Sequence, residues 1–184
     1  MHRCLVFVVS LIASGAAVAE ITAFININVI TMSDERIIEQ QTVIVNDGII
    51  GIIGDVDEVP LPEAARVIDG TDRFLIPGLA EMHAHVPPAG SGDLERDFAL
   101  FVANGVTTVR GMLGHPSHLE LRAALLDGAT FGPRLITSGP SLNGRSVSGA
   151  ADGARQVREQ HAAGYDFIKI HPGLDDDEFA AIAA

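Results

Sequence analysis

Two histidines one residue apart, His83 and His85, stand in the run Gly78-Leu79-Ala80-Glu81-Met82-His83-Ala84-His85-Val86. Side chains of an extended strand alternate faces, so both imidazoles project to one side, close enough to share one cation. That is metal-ligand spacing. A lone His-x-His is more often a pair of surface histidines at a strand end, because so short a motif recurs by chance. On the pair alone both readings stay open.

Lys169 is the only lysine; the other basic residues are all arginine. It lies between Phe167-Ile168 and Ile170 in an apolar segment. Burial disfavours an ammonium ion and frees the neutral amine as a nucleophile. A neutral amine can take up carbon dioxide as a carbamate, a two-oxygen anion able to bridge two metal ions. A structural lysine fits the position equally well. His171 shares a face with Lys169 and could contact a substrate, or simply end the strand before Pro172-Gly173. Arg110 closes another strand in a comparable place, where it could hold a carboxylate in a bidentate pair or form an ordinary rim salt bridge. His115, His118 and His161 fall in a loop or on helices and read as solvated. The glycine-rich stretch 139–146 lacks the lysine of a phosphate loop, and no G-x-G-x-x-G follows a strand.

These residues need elements to hold them. Over 21–77 the pattern is that of strands: 21–30, 42–45 and 49–53, then 67–70 and 74–76. Asn46-Asp47-Gly48 between two apolar runs is a hairpin signal, since a type I′ turn needs positive φ at both central residues. A small antiparallel sheet is expected. After Pro77 strands and helices alternate: strand 79–85, helix 93–104, strand 106–110, a helix opened by a Ser117/Glu120 capping box, strand 134–138, helix 150–163 stopped by Gly164, strand 166–171, and a helix opened by Asp175 and Glu178. That rhythm implies parallel βα units. A (β/α)8 barrel takes about 250 residues, whereas 78–184 supplies four strands. The segment is either a compact open sheet or the first half of something longer. The last residues, Ala180-Ala181-Ile182-Ala183-Ala184, carry no helix stop, which favours the second.

Composition narrows the partners. Of 184 residues, 47% are apolar, and acidic residues outnumber basic ones by 24 to 12. The chain can bury a core, and it lacks the electrostatic footprint of a nucleic-acid or anionic-membrane binder. A small molecule or peptide is the expected partner; homo-oligomerisation stays open. Met1-His2-Arg3-Cys4, the apolar run 5–13, and Ala17 with Ala19 form the three parts of a secretory signal peptide cleaved after Ala19. The apolar run falls short of the roughly 20 residues of a membrane span. Export to the periplasm or the extracellular space is expected. Cys4, the only cysteine, would leave with the signal, so any metal must use nitrogen and oxygen ligands.

The run Ile76-Pro77-Gly78-Leu79-Ala80-Glu81-Met82-His83-Ala84-His85 follows a β segment containing Asn46-Asp47-Gly48-Ile49-Ile50 and precedes Gly105-Val106-Thr107-Thr108-Val109-Arg110-Gly111. In this it resembles the amidohydrolase superfamily. Gly132-Pro133-Arg134-Leu135, Ser138-Gly139-Pro140 and Asp166-Phe167-Ile168-Lys169-Ile170 are similar to its imidazolonepropionase-like and prolidase-like branch. The resemblance implies a small β-sandwich paired with a metal-binding (β/α)8 barrel. It implies His83 and His85 as first-strand ligands of one metal, and Lys169 as a carboxylated lysine bridging to a second. One or two divalent ions, zinc foremost, would acidify a water and polarise the carbonyl of an amide-like C–N bond. The family's usual Asp before the Met of this motif is Glu81 here. Its histidines of the fifth and sixth strands and its eighth-strand aspartate, the general base, have no counterpart, so no catalytic residue is assigned.

The expected fold is α/β: a signal peptide over 1–19, a β-sandwich-like segment over 20–77, and the first four βα units of a truncated (β/α)8 TIM-type barrel over 78–184. The expected function is metal-dependent hydrolysis of C–N bonds in amide or dipeptide-like substrates, by an N-terminal fragment lacking full activity. The rivals are a catalytically silent secreted metal- or ligand-binding module and one half of a split hydrolase.

Overall fold

The computed structural model describes residues 20–184; the expected signal peptide and Cys4 lie outside the described residues. The chain divides between Pro77 and Gly78 into two compact units. No helix among the described residues is long and apolar enough to cross a membrane.

The first unit holds one sheet. Its strands are β1 (Ile21–Val29), β2 (Ile38–Asn46), β3 (Ile49–Asp55), β4 (Arg66–Asp69) and β5 (Phe74–Leu75), in the order β3-β2-β1-β4 with β5 also beside β1. Asp47 (φ 48°) and Gly48 (φ 75°) make the positive-φ turn between β2 and β3. The antiparallel expectation holds for β1–β2 and β2–β3 only. β4 and β5 run parallel to β1, because the chain crosses over through 56–65 before returning to β1's free edge. Ile27, Val29 and Val43 form the core of this unit.

The second unit carries the candidate chemistry. Its elements are β6 (Leu79–Ala84), α1 (Gly92–Ala103), β7 (Val106–Gly111), α2 (His118–Leu126), β8 (Arg134–Thr137), α3 (Ala150–Ala163) and α4 (Asp176–Ala183). β6, β7 and β8 are parallel neighbours. Ala84, Val86, Leu94, Phe98, Val109, Leu121 and Leu135 bury the face that α1 and α2 cover. Leu142, Val147 and Ile182 form a second core, against which Ile168 and Ile170 pack. α3 ends on left-handed Gly164 (φ 91°), and α4 opens on the Asp175/Glu178 capping box.

Two local expectations fail. The fourth strand, expected over 166–171, is reduced to two parallel bridges, Ser138↔Phe167 and Leu142↔Ile170. Between them one side of the pairing has an extra residue and includes Pro140, which has no N–H to give a ladder. The capping box at Ser117 does not form either. The Ser117 hydroxyl instead accepts the Ala89 N–H (3.0 Å) and pairs with His115 Nδ1 (2.8 Å).

Polar clamps replace the missing ladder. Asp166 Oδ2 accepts the Thr137 N–H (2.8 Å) and a bond from Arg122 Nη1 (2.7 Å), while Arg122 Nη2 donates to the Gly164 carbonyl (2.9 Å). His118, read from sequence as solvated, is fully buried. Its Nδ1 accepts the His115 N–H (3.2 Å) and lies 3.4 Å from Thr137 Oγ1, and its Nε2 faces the Pro87 carbonyl at 3.2 Å. Removal from water holds its ring below the ordinary histidine pKa, against the opposing pull of the Pro87 carbonyl.

Asp166→Ala should lower stability by about 1–3 kcal/mol, because it leaves the Thr137 amide without its acceptor and removes one of the two bonds of Arg122. Urea unfolding together with faster hydrogen exchange at Thr137 would record this, and an unchanged midpoint would contradict it. His118 takes a proton more readily in the unfolded chain. The stability it contributes is therefore complete above its ordinary value of 6.5 and is lost as pH falls below that value. Between about pH 7 and about pH 5 the unfolding midpoint should fall more steeply in wild type than in His118→Gln, and parallel curves would contradict the assignment.

Candidate functional site

Burial alternates at the end of β6. Ala84 and Val86 enter the core, while His83 and His85 are exposed on the opposite face. A register shift between Glu81 and Ala84 sets this phase. Glu81 and Ala84 pair with Val109 and Gly111 across that shift, and the Glu81 carboxylate accepts the His83 N–H at 2.7 Å. A bulge of this kind re-aims side chains at a strand end. The two imidazole centroids are 5.6 Å apart with a 45° tilt between the rings. Tetrahedral zinc with Zn–N bonds of about 2.0–2.1 Å would place two liganding imidazoles with centroids roughly 5 Å apart. The observed separation is compatible with two imidazoles facing one ion. Among the described residues no group of three or more His, Cys, Asp or Glu side chains is assembled to hold a metal.

Arg110 and Phe167 meet on this same open face, since their neighbours Val109 and Ile168 pack into the cores. The Arg110 guanidinium lies over the Phe167 ring, 4.7 Å from its centroid. Stacking fixes the plane of the guanidinium and leaves its in-plane N–H groups free to donate. Lys169 is half-buried between the core residues Ile168 and Ile170, so alternation turns it away from that core. The Leu142 N–H donates to the Lys169 carbonyl (2.9 Å) and the His171 N–H to the Leu142 carbonyl (2.8 Å), which fixes the backbone on both sides of Ile170. His171 lines a cleft of about 490 Å³ with Asn143, Gly144 and Arg145.

Sequence reasoning missed two residues. Arg145 stands in the cleft beside His171; only its place in a loop after β8 could have marked it. His118 was passed over because the first turn of a helix is ordinarily wet, and no local signal shows that Pro87 and Thr137 close over it.

No family model matches the chain. It is similar to an imidazolonepropionase of Idiomarina loihiensis, 42% identical over 69 residues, which are 36% of this chain and 17% of that protein. It is similar also to a dihydroorotase of Mycobacterium tuberculosis, 35% identical over 77 residues, 40% of this chain and 17% of that protein. Among solved structures, a Xaa-Pro dipeptidase with methionine bound in its active site superposes with a TM-score of 0.72 at 19% identity, covering 89% of this chain and 53% of the other. The chain thus spans about half the length of that structure, and its matched stretches span 17% of the curated relatives. These likenesses, in sequence over part of the chain and in fold over most of it, agree with the resemblance of its motifs to the amidohydrolase superfamily.

Proposed function

We propose that the chain is the N-terminal part of an exported, metal-dependent hydrolase acting on C–N bonds in small amide or dipeptide-like substrates. The observation that carries this reading is the pair of imidazoles, 5.6 Å apart, on the open face of a parallel sheet. The kinship with an imidazolonepropionase and a dihydroorotase supports it, as does the fold shared with a Xaa-Pro dipeptidase. In this reading 1–19 is a signal peptide, 20–77 contributes to a β-sandwich and 78–184 is the opening part of a (β/α)8 barrel.

His83 and His85 would hold a divalent ion through imidazole nitrogens, a donor set that suits zinc. Lys169, as a carbamate, would add oxygen ligands and allow a second ion. A bound divalent ion supplies Lewis acidity, which acidifies a water and polarises a carbonyl. Arg110, its plane set by Phe167, would pair with a substrate carboxylate, and His171 would line the substrate cleft. No residue of this chain is assigned as the general base in this reading.

A second reading, half of a split hydrolase completed by a separate chain, is equally consistent with the apolar side chains left in water at the sheet, Leu79 (52% exposed) and Met82 (53%). Co-purification of a chain that restores hydrolysis would support it over the silent binding module.

Zinc titration of the purified chain by calorimetry tests the leading reading. Wild type should bind zinc, and His83→Ala or His85→Ala should each weaken binding by on the order of tenfold or more. Equal affinity in wild type and both variants, or no binding in wild type, would overturn it.

A further inference from the structure

We propose that His118 positions the His83–His85 pair by fixing the backbone just beyond His85, an inference that rests on the metal-binding reading of that pair. β6 ends at Ala84, so His85 is held by no ladder bond of its own strand. The anchor before it is the Met112 N–H, which donates to the Ala84 carbonyl at 2.8 Å. The anchor after it is His118, whose Nε2 sits 3.2 Å from the Pro87 carbonyl. Val86, between them, is buried. The direction of the His118 bond is fixed by its other nitrogen. Nδ1 accepts the His115 N–H, so the ring proton is on Nε2 and is donated to Pro87. One neutral ring thereby ties α2 to the segment that carries His85. It also lies against Thr137 at the end of β8. Leucine at this position would take from the half-buried Pro87 carbonyl and from the His115 amide the partner each has in the His118 ring, and the segment would move to find water. Glutamine, with an N–H donor group and a carbonyl acceptor on a side chain of similar reach, would keep both bonds.

The test compares zinc affinity of wild type, His118→Leu and His118→Gln, with folding checked by circular dichroism. His118→Leu should bind zinc on the order of tenfold more weakly than wild type, and His118→Gln should recover to within about threefold. A role confined to general stability predicts equal affinity in all three folded proteins, and that result would overturn the proposal while leaving the metal reading intact. No zinc binding by wild type would instead sink the metal reading itself, and the inference with it. Should the leucine variant not fold, the glutamine variant's affinity and a long-range 1H–15N spectrum of wild type decide the matter. The expected ring is neutral and protonated on Nε2; an Nδ1–H tautomer would overturn the proposal.

Discussion

Ala84 and Val86 lie almost wholly out of water, in one cluster with Leu94, Phe98, Val109 and Leu121. Side chains alternate along extended backbone, so this burial forces His83 and His85 to the other face of the sheet. A slip of one residue would bring both imidazoles into an apolar core and push Val86 into solvent. The valine alone would forfeit about 1.5–3 kcal/mol of burial, and each imidazole would need a new hydrogen-bond partner. The orientation of the candidate ligands is thus decided by the apolar residues between and after them, and the Glu81 carboxylate on the His83 amide accommodates the irregularity that results.

The remaining parts hold that strand end and its neighbours in place. A parallel sheet gives regular bonding across β6, β7 and β8, but the candidate residues sit at or beyond the places where this regularity stops. Lys169 and His171 lie beside isolated bridges, and His85 lies past the last residue of β6. Polar side chains take over nearby: Asp166 on Thr137 and Arg122, and the buried His118 on Pro87, while Glu178 holds the Gly149 amide at the start of α3. Each clamp has its main hydrogen bonds satisfied, which is the condition under which a polar group in a core rigidifies the structure around it.

Much of this was legible in the residues because the signals were local. The Asp47-Gly48 turn, the Gly164 stop and the Asp175/Glu178 box each need a few consecutive residues, and each formed where it was read. The features that were misread depend on distant partners. Ser117 has the right neighbour for a capping box, yet the Ala89 amide and the His115 ring, one of them 28 residues away, claim its hydroxyl first. His118 becomes a core residue only once Pro87 and Thr137 close over it. The parallel pairing of β4 and β5 with β1 is long-range in the same sense. For the site, the shared face of His83 and His85 is legible from alternation alone, whereas Lys169, expected to be buried in an apolar strand, is half-buried. The stacking of Arg110 on Phe167 required two segments to meet in space, and no spacing in the sequence encodes that.

The likeness to amidohydrolases gives these geometries a chemical context, and the account comes down to whether two imidazoles share one cation. X-ray absorption at the zinc edge on the zinc-loaded chain addresses this directly. The account predicts nitrogen or oxygen scatterers at about 2.0–2.1 Å, with the outer-shell pattern of two imidazole rings, and loss of that pattern in the His83→Ala, His85→Ala double variant. A first shell without imidazole scattering, or one that the double variant leaves unchanged, would contradict it.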